Sequence, residues 1–384
     1  MGAAMAMSHI RLARAAGTAT GNGRLVVINI QGGLDGLAMV APYGDPNLAK
    51  LRAALMAPGV GTQGGMLDLG GFFGLHPAMP NLHAMFAAGQ ASMIHAVGNA
   101  GLTRSHFEGQ DYLQSGAPEL LTSGWLNRAM GMVAGIGTTQ SGIAVGAMQG
   151  LLAQGPTIAA GWAPDPFWQL SPQTVTDLQT MLAPDPLLGP AYTAAFQDSA
   201  MFTSVLNAAP IPQGLSTLQQ SAWAAGSFLA VPNGPRIAAI EAPGYDTHDN
   251  QVIRLNAGLS DLDGALQILK TQLGAEWANT VVMTMTEFGR TAAANGNFQA
   301  GGTDHGTAFA VVLAGGAVNG GRVLGTWPGL SATQLYQGRD LAPTSDIRSI
   351  GMGILGQHMG LSGSALASVF PAAGVQAMTG LVNA

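Results

Sequence analysis

Two hydrophobic periods alternate along this chain. LVVINI (25–30), ASMIHAV (91–97), RIAAIEA (236–242), NTVVMTMT (279–286) and AFAVVLAGG (308–316) are short, nearly continuous apolar runs of strand length, bounded by glycine or polar turns. Between the third and fourth runs lies DNQVIRLNAGLSDLDGALQILKTQL. Here Val252, Leu255, Leu259, Leu262, Leu266, Leu269 and Leu273 recur at steps of three and four, which puts them on one stripe of a helix. Strand, helix and strand in that order predict a βαβ unit with parallel strands. LHPAMPNLHAMFAAGQ likewise predicts a helix ahead of the strand at 91–97, so residues 25–97 read as strand, long excursion, helix and strand. The expected fold class is α/β, a mostly parallel central sheet flanked by helices.

The pattern changes in the middle of the chain. Residues 129–164 and 199–235 contain no Asp, Glu, Lys or Arg, and the aspartates at 165, 177, 185 and 198 are the only charged residues between them. Pro and Gln clusters there (APDPFW, LSPQT, LAPDPLLGP, PIPQG) mark turns between short helices. We therefore expect one domain over 24–384 with a helical insertion at about 160–232, preceded by a flexible segment, 1–23, read as a signal remnant.

Composition narrows the chemistry. With 384 residues, 47% of them apolar, the chain can bury a large core. A net charge of −6 and only two lysines, Lys50 and Lys270, leave no basic stripe for a nucleic-acid backbone. There is no cysteine, so any metal must be held by carboxylate, imidazole, hydroxyl or water. No apolar run has the length of a transmembrane helix, and the first residues lack both a twin-arginine pair and a continuous apolar signal core.

Charged residues make up only 9% of the chain, against roughly 25% in an average soluble protein. Against that scarcity, Asp246, His248, Glu287, Arg290, Asp304 and His305 form a dense run. Asp246 and His248 follow one predicted strand and Glu287 another, and ligands of open α/β sheets gather beyond the carboxyl ends of strands. Asp304 and His305 instead precede their strand, so the run at 308–316 must be antiparallel to bring them to the same edge. Asp35 and the pair Ser105–His106 also follow strand ends. Such convergent carboxylates and imidazoles suit a divalent metal that stabilises charge on a phosphoryl or sulfuryl oxygen. Plainer readings stand beside this one. Asp246 and Asp249 suit a helix cap, Asp35 a cap on the next segment, Glu287 and Arg290 a local ion pair, Asp304 and His305 a loop, and Ser105 with Glu108 a capping box. His76, His83 and His95 read as structural.

INIQGGLDGLAMVAPYGDP, FGLHPAMPNL, SHFEGQDYLQSG, GWLNRAMG, YDTHDNQ, TEFGR and GTDHGTAFAVVLAGGAVNGGRVLG together are similar to the family catalogued as domain of unknown function 1501, over nearly the whole chain. That family resembles the alkaline phosphatase and sulfatase superfamily. The resemblance implies a three-layer sandwich with Ser105 in the nucleophile's position, beside His106. It also implies divalent metal (zinc, calcium, magnesium or manganese) held by Asp35, Asp246, His248, Glu287, Asp304 and His305, with Arg290 or Arg104 on the oxygens of the transferred group. Phe288 stands where many superfamily members place a metal-binding histidine or asparagine. The resemblance further implies a small-molecule or glycan ester as substrate and export to the periplasm, a cytoplasmic address staying open without a complete signal. Two functions follow as expectations: a metal-dependent hydrolase of phosphate or sulfate esters, or a catalytically silent binding or assembly module of the cell envelope.

Overall fold

The computed structural model describes residues 22–133, 142–146, 150–164, 171–186, 188–232, 234–296 and 301–383, so the expected signal remnant lies almost wholly outside the described residues. The strands are β1 (Arg24–Ile30), β2 (Ala91–Gly98), β3 (Gly142–Val145), β4 (Ala160–Trp162), β5 (Ile237–Ala242), β6 (Thr280–Thr286), β7 (Phe309–Ala314), β8 (Arg322–Leu324) and β9 (Ser345–Asp346); the five predicted apolar runs are β1, β2, β5, β6 and β7. Among the described residues these make one nine-stranded sheet in the order β8-β2-β7-β6-β1-β5-β3-β4, with β9 also on β2. β5 and β6 both pair parallel with β1 and flank it. The predicted βαβ unit is therefore a crossover that skips one strand, which lies between its two partners. β7 runs antiparallel to both β2 and β6, as the placement of Asp304 and His305 demands. A second sheet of three two-residue strands (Val40–Ala41, Gly74–Leu75, Leu67–Asp68) is antiparallel.

Side chains alternate across the sheet and bury both faces. Val26, Ile28 and Ile30 join one core cluster, while Leu25 and Val27 join the other. The helices met below are α1 (Pro80–Ala87), α2 (His106–Ser115), α3 (Pro172–Leu182), α4 (Leu188–Ala208), α5 (Thr217–Ala230), α6 (Gln251–Leu273) and α7 (Ile347–Gln357). α6 supplies Leu255, Leu259, Leu262, Leu266, Leu269 and Leu273 to the first cluster, and α7 supplies Ile350 and Ile354 to the second. Each buried leucine contributes about 2 kcal/mol of transfer free energy. Val252, which opened the predicted stripe, lies in the first turn of α6 and is 48% exposed.

The stretch expected to be a helical insertion starts with sheet: β4 is an edge strand parallel to β3. Helices α3, α4 and α5 follow. α5 buries Ala222, Ala224, Ala225 and Phe228 in the same cluster as α6, so this segment is packed into the core on one side. Among the described residues no helix is long and apolar enough to cross a membrane.

Candidate metal centre at the carboxyl edge of the sheet

The reversed direction of β7 is what assembles the site. The loop after β6 and the loop before β7 meet beyond the sheet edge and zip together: Gly289 N–H donates to Thr307 O (3.1 Å), Gly306 N–H to Gly289 O (2.8 Å), and Thr291 N–H to Asp304 O (2.9 Å). His305 is thereby fixed next to the ends of β5 and β6. Asp246 and His248 arrive from β5, and His106 arrives from the first turn of α2, which follows β2.

Three imidazoles are oriented in the same way. His106 donates from Nδ1 to Glu287 Oε1 (2.7 Å), His305 from Nδ1 to the carbonyl of Arg104 (2.8 Å), and His248 from Nδ1 towards Asp304 Oδ1 (3.3 Å). A carbonyl or carboxylate partner requires the proton on Nδ1, so in each neutral ring Nε2 is the lone-pair nitrogen. All three Nε2 atoms converge on one carboxylate. His248 Nε2 lies 3.0 Å and His305 Nε2 3.4 Å from Asp246 Oδ1, and His106 Nε2 lies 3.5 Å from Asp246 Oδ2. His248 Nε2 and His305 Nε2 are 2.9 Å apart, a contact of two lone pairs that is unfavourable unless a proton or cation is shared. His106 Nε2 is buried and has no hydrogen-bond partner. The ligand atoms of His106, Asp246 and His305 lie within 4.8 Å of one another, and His248 adjoins them.

Electrostatics act differently on the rings: a raised His106 pKa favours a proton on Nε2 that a bound cation would displace, whereas His305 is biased to the neutral form. The hydrogen bond to Glu287 raises the His106 pKa against the opposing effect of burial, while burial lowers that of His305 and keeps it neutral. Burial pushes the Asp246 carboxyl up, but Arg290 together with His248 and His106 outweighs it and the net shift is down. Burial acts the same way on Glu287, and the bonds from His106, Gly32 N–H and Thr286 again win.

Several residues expected in the site serve it from behind. Glu287, expected as a ligand, is 1% exposed and both its oxygens are occupied: Oε1 by Gly32 N–H (2.8 Å) and His106, Oε2 by Gln110 (2.9 Å) and Thr286 (3.0 Å). It orients His106, as a carboxylate behind a metal-ligating histidine does. Asp304 stands in the same relation to His248. Asp35, also expected as a ligand, is buried away from the cluster; both its oxygens accept from Arg52 Nη1 (2.8 and 2.9 Å), and Oδ2 also accepts from Gln251 Nε2 (2.6 Å). Arg290, expected on substrate oxygens, is fully buried and committed to the carbonyls of Gly32, Gly33, Tyr245 and Thr303 and to Asp246 Oδ1 (2.5 Å). Arg104 is engaged by Asp340 Oδ2 (2.6 Å).

Two of the plainer alternatives hold: Asp35 caps the following short turn, its Oδ1 accepting from Ala38 N–H (3.1 Å), and Asp304 and His305 lie in the loop before β7. The others are not what the chain forms. The residue before α6 is Asn250, not Asp246, and Glu287 pairs with His106 rather than Arg290. Ser105 precedes α2 in an extended conformation, is exposed and makes no side-chain cap bond; Glu108 accepts from Thr103 Oγ1 (2.7 Å) instead. Phe288 is 1% exposed and lies under His106 and His305, with ring centroids 4.9 and 4.7 Å away. It is an apolar floor that keeps water from beneath both rings. A Cβ at Gly33, whose φ is +68°, would overlap the Phe288 ring, so this glycine lets the β1 loop pass. Arg52, Gln110 and Gln251 escaped the sequence reading. Only Gln110 carried a signal, four residues after His106 on the same helix face.

A chain of amides links this cluster to a second carboxyl. Gln110 Oε1 accepts from Asn29 Nδ2 (2.9 Å), which also donates to Glu241 Oε2 (2.8 Å), as does Gln31 (2.6 Å). Burial pushes Glu241 up to about 7 from 4.5, although the two amides pull the other way. Below 4.5 the group is protonated in both folded and unfolded chains; as pH rises towards 7 only the folded chain keeps the proton, so stability falls through that window. Glu241→Gln is expected to gain at most about 3 kcal/mol at pH 8 and little at pH 4, read from urea midpoints at the two pH values.

Comparison with solved structures finds likeness to the C-terminal periplasmic domain of EcEptC from Escherichia coli in complex with Zn, at 10% identity and TM-score 0.35 over 77% of this chain and 74% of that one. The PsFucS1 sulfatase from Pseudoalteromonas sp. is similar at 13% identity and TM-score 0.32, over 78% of this chain and 64% of its own. TM-scores this low support no inference about chemistry. Comparison with curated proteins gives no match. A family model described as Protein of unknown function (DUF1501) matches residues 23–370, and the chain belongs to that family.

Proposed function

We propose that His106, Asp246 and His305, with His248 adjoining, hold a divalent cation, and that the protein is a metal-dependent hydrolase of phosphate or sulfate esters. The observation that carries this reading is the shared orientation of the imidazoles: every Nδ1 is occupied, every Nε2 faces Asp246, and His106 Nε2 is buried without a hydrogen-bond partner. Three imidazole nitrogens and a carboxylate suit zinc's preference for four nitrogen and oxygen ligands. A cation held there supplies Lewis-acid charge to an ester oxygen and lowers the pKa of a bound hydroxyl.

The rest is work for the chain's own residues. Ser105 is the candidate nucleophile: its hydroxyl is exposed, uncapped and adjacent in sequence to His106. It stands at the N-terminus of the ten-residue helix α2, where backbone N–H groups favour an anion. Glu287 and Asp304 hold His106 and His248, and Phe288 excludes water from below. The substrate class is an ester of a small molecule or glycan, and the proposed address is the periplasm. The commitment of both Arg290 and Arg104 to internal partners favours a second reading, a metal-bound module without turnover.

Elemental analysis of the purified protein, with a phosphate- and sulfate-ester screen on the native chain and Ser105→Ala, separates these. The hydrolase reading expects bound divalent metal and turnover that falls roughly 10²-fold or more in Ser105→Ala. Metal without turnover supports the silent module. Turnover that survives Ser105→Ala removes Ser105 from the chemistry, and absence of both metal and turnover sinks the hydrolase.

A further inference from the structure

On the far side of the sheet from β2, a cavity of about 460 Å³ lies between the edge strand β4 and helix α4. Its walls combine apolar side chains, Ile158, Trp162, Phe202 and Leu206, with polar groups that include Ser199 and Thr203. Phe202 packs on Phe228 at 4.3 Å, and Trp162 meets Phe228 edge-on at 5.8 Å, so the aromatic wall is braced from behind. Among the described residues, one charged side chain lines the cavity. Asp198 is 7% exposed, and its Oδ2 is buried with no hydrogen-bond partner among the described residues.

A buried carboxyl without a partner is costly, by several kcal/mol if it is ionised and less if it takes up a proton. Its burial raises the Asp198 pKa accordingly. The chain offers little local remedy: between Ala129 and Pro235 there is no Lys, Arg or His. What the cavity lacks is a cation. What it supplies is a carboxyl, an indole and a phenyl ring, the set that recognises an organic ammonium group by ion pairing and cation–π contact.

We propose that this cavity binds a small organic cation, an arylammonium or alkylammonium compound whose charge meets Asp198 and whose carbon skeleton lies against Trp162 and Phe202. The site is separate from the metal cluster and shares no residue with it, so it stands or falls independently of the hydrolase reading. A single carboxylate beside two aromatic rings suits a large organic monocation better than a divalent metal ion, which prefers six or more oxygens.

Calorimetric titration of the full chain with benzylammonium chloride, and with uncharged benzyl alcohol as the isostere, tests this. Saturable benzylammonium binding is expected below about 10 mM, at least about tenfold tighter than benzyl alcohol, and weakened at least about tenfold in Asp198→Asn. Asp198→Asn keeps the shape and removes the uncompensated carboxyl, so its thermal midpoint is expected to hold or rise, and loss of binding then reports the charge. Trp162→Phe tests the indole, with weaker binding and loss of the ligand-induced fluorescence change. Absence of saturable binding by the native chain, equal binding of benzyl alcohol, or unchanged affinity in Asp198→Asn overturns the proposal.

Discussion

Asp35→Ala is expected to cost about 3–5 kcal/mol of folding free energy, the range for leaving one member of a buried ion pair unpartnered. Both side chains of the Asp35–Arg52 pair are at most 1% exposed. Without the carboxylate, Arg52 keeps its bonds to the carbonyls of Ala292 and Thr291 but loses the charge that neutralises it. The damage spreads further, because Asp35 also accepts from Gln251, whose own Oε1 accepts from Thr303 (2.6 Å) and Thr247 (3.3 Å). Those two threonines flank the segments that carry Asp246 and His248 on one side and Asp304 and His305 on the other. Denaturant unfolding of Asp35→Ala, Arg52→Met and the double variant measures the coupling. The double variant is expected to be more stable than Asp35→Ala alone, since an apolar replacement of the whole pair leaves no buried charge. A loss under about 1 kcal/mol in Asp35→Ala would show that the pair is solvated and does not brace these loops.

His305→Ala carries the largest expected effect on metal. Removal of one of the converging nitrogens is expected to weaken zinc by more than about 100-fold, whereas Glu287→Gln, which leaves all ligand atoms in place, is expected to fall within the 10–100-fold typical of outer partners. The difference can be read without any activity assay. A ligand at about 100 times its dissociation constant stabilises the native state by about 2.7 kcal/mol, so the native chain should gain thermal midpoint on zinc addition and lose it to a chelator. His305→Ala should show neither response. If its zinc response matches that of the native chain, His305 is not a ligand; if Glu287→Gln is the more damaging change, Glu287 reaches the metal after all.

Much of this architecture was legible in the residues. Continuous apolar runs marked the central strands because both faces of the sheet are covered, and a stripe of leucines marked α6 for the same reason. The reversal of β7 could be anticipated from Asp304 and His305 alone, since only an antiparallel strand brings residues before it to an edge that others reach after theirs. The order of strands was not legible: that β1 sits between β5 and β6 depends on pairing choices that leave no local signature. Nor were the ranks of the carboxylates. Asp35, Glu287 and Asp304 look like ligands in one dimension because ligands and the groups that hold ligands share the same chemistry. Only tertiary hydrogen bonds separate them: from Arg52 to Asp35, from Gly32 and Gln110 to Glu287, and from Asn295 Nδ2 to Asp304 Oδ1 (3.3 Å).

The hydrogen bond that sets His305 in place joins it to a carbonyl 201 residues earlier, and the one that sets His106 joins it to a carboxylate 181 residues later. Contacts of that span form late, after the entropy of closing long loops has been overcome. The full set of imidazoles is therefore expected to come together only once the sheet is nearly complete. On the proposed reading, tight capture of a metal ion would report completion of the sheet, because contacts of that span bring its ligands together.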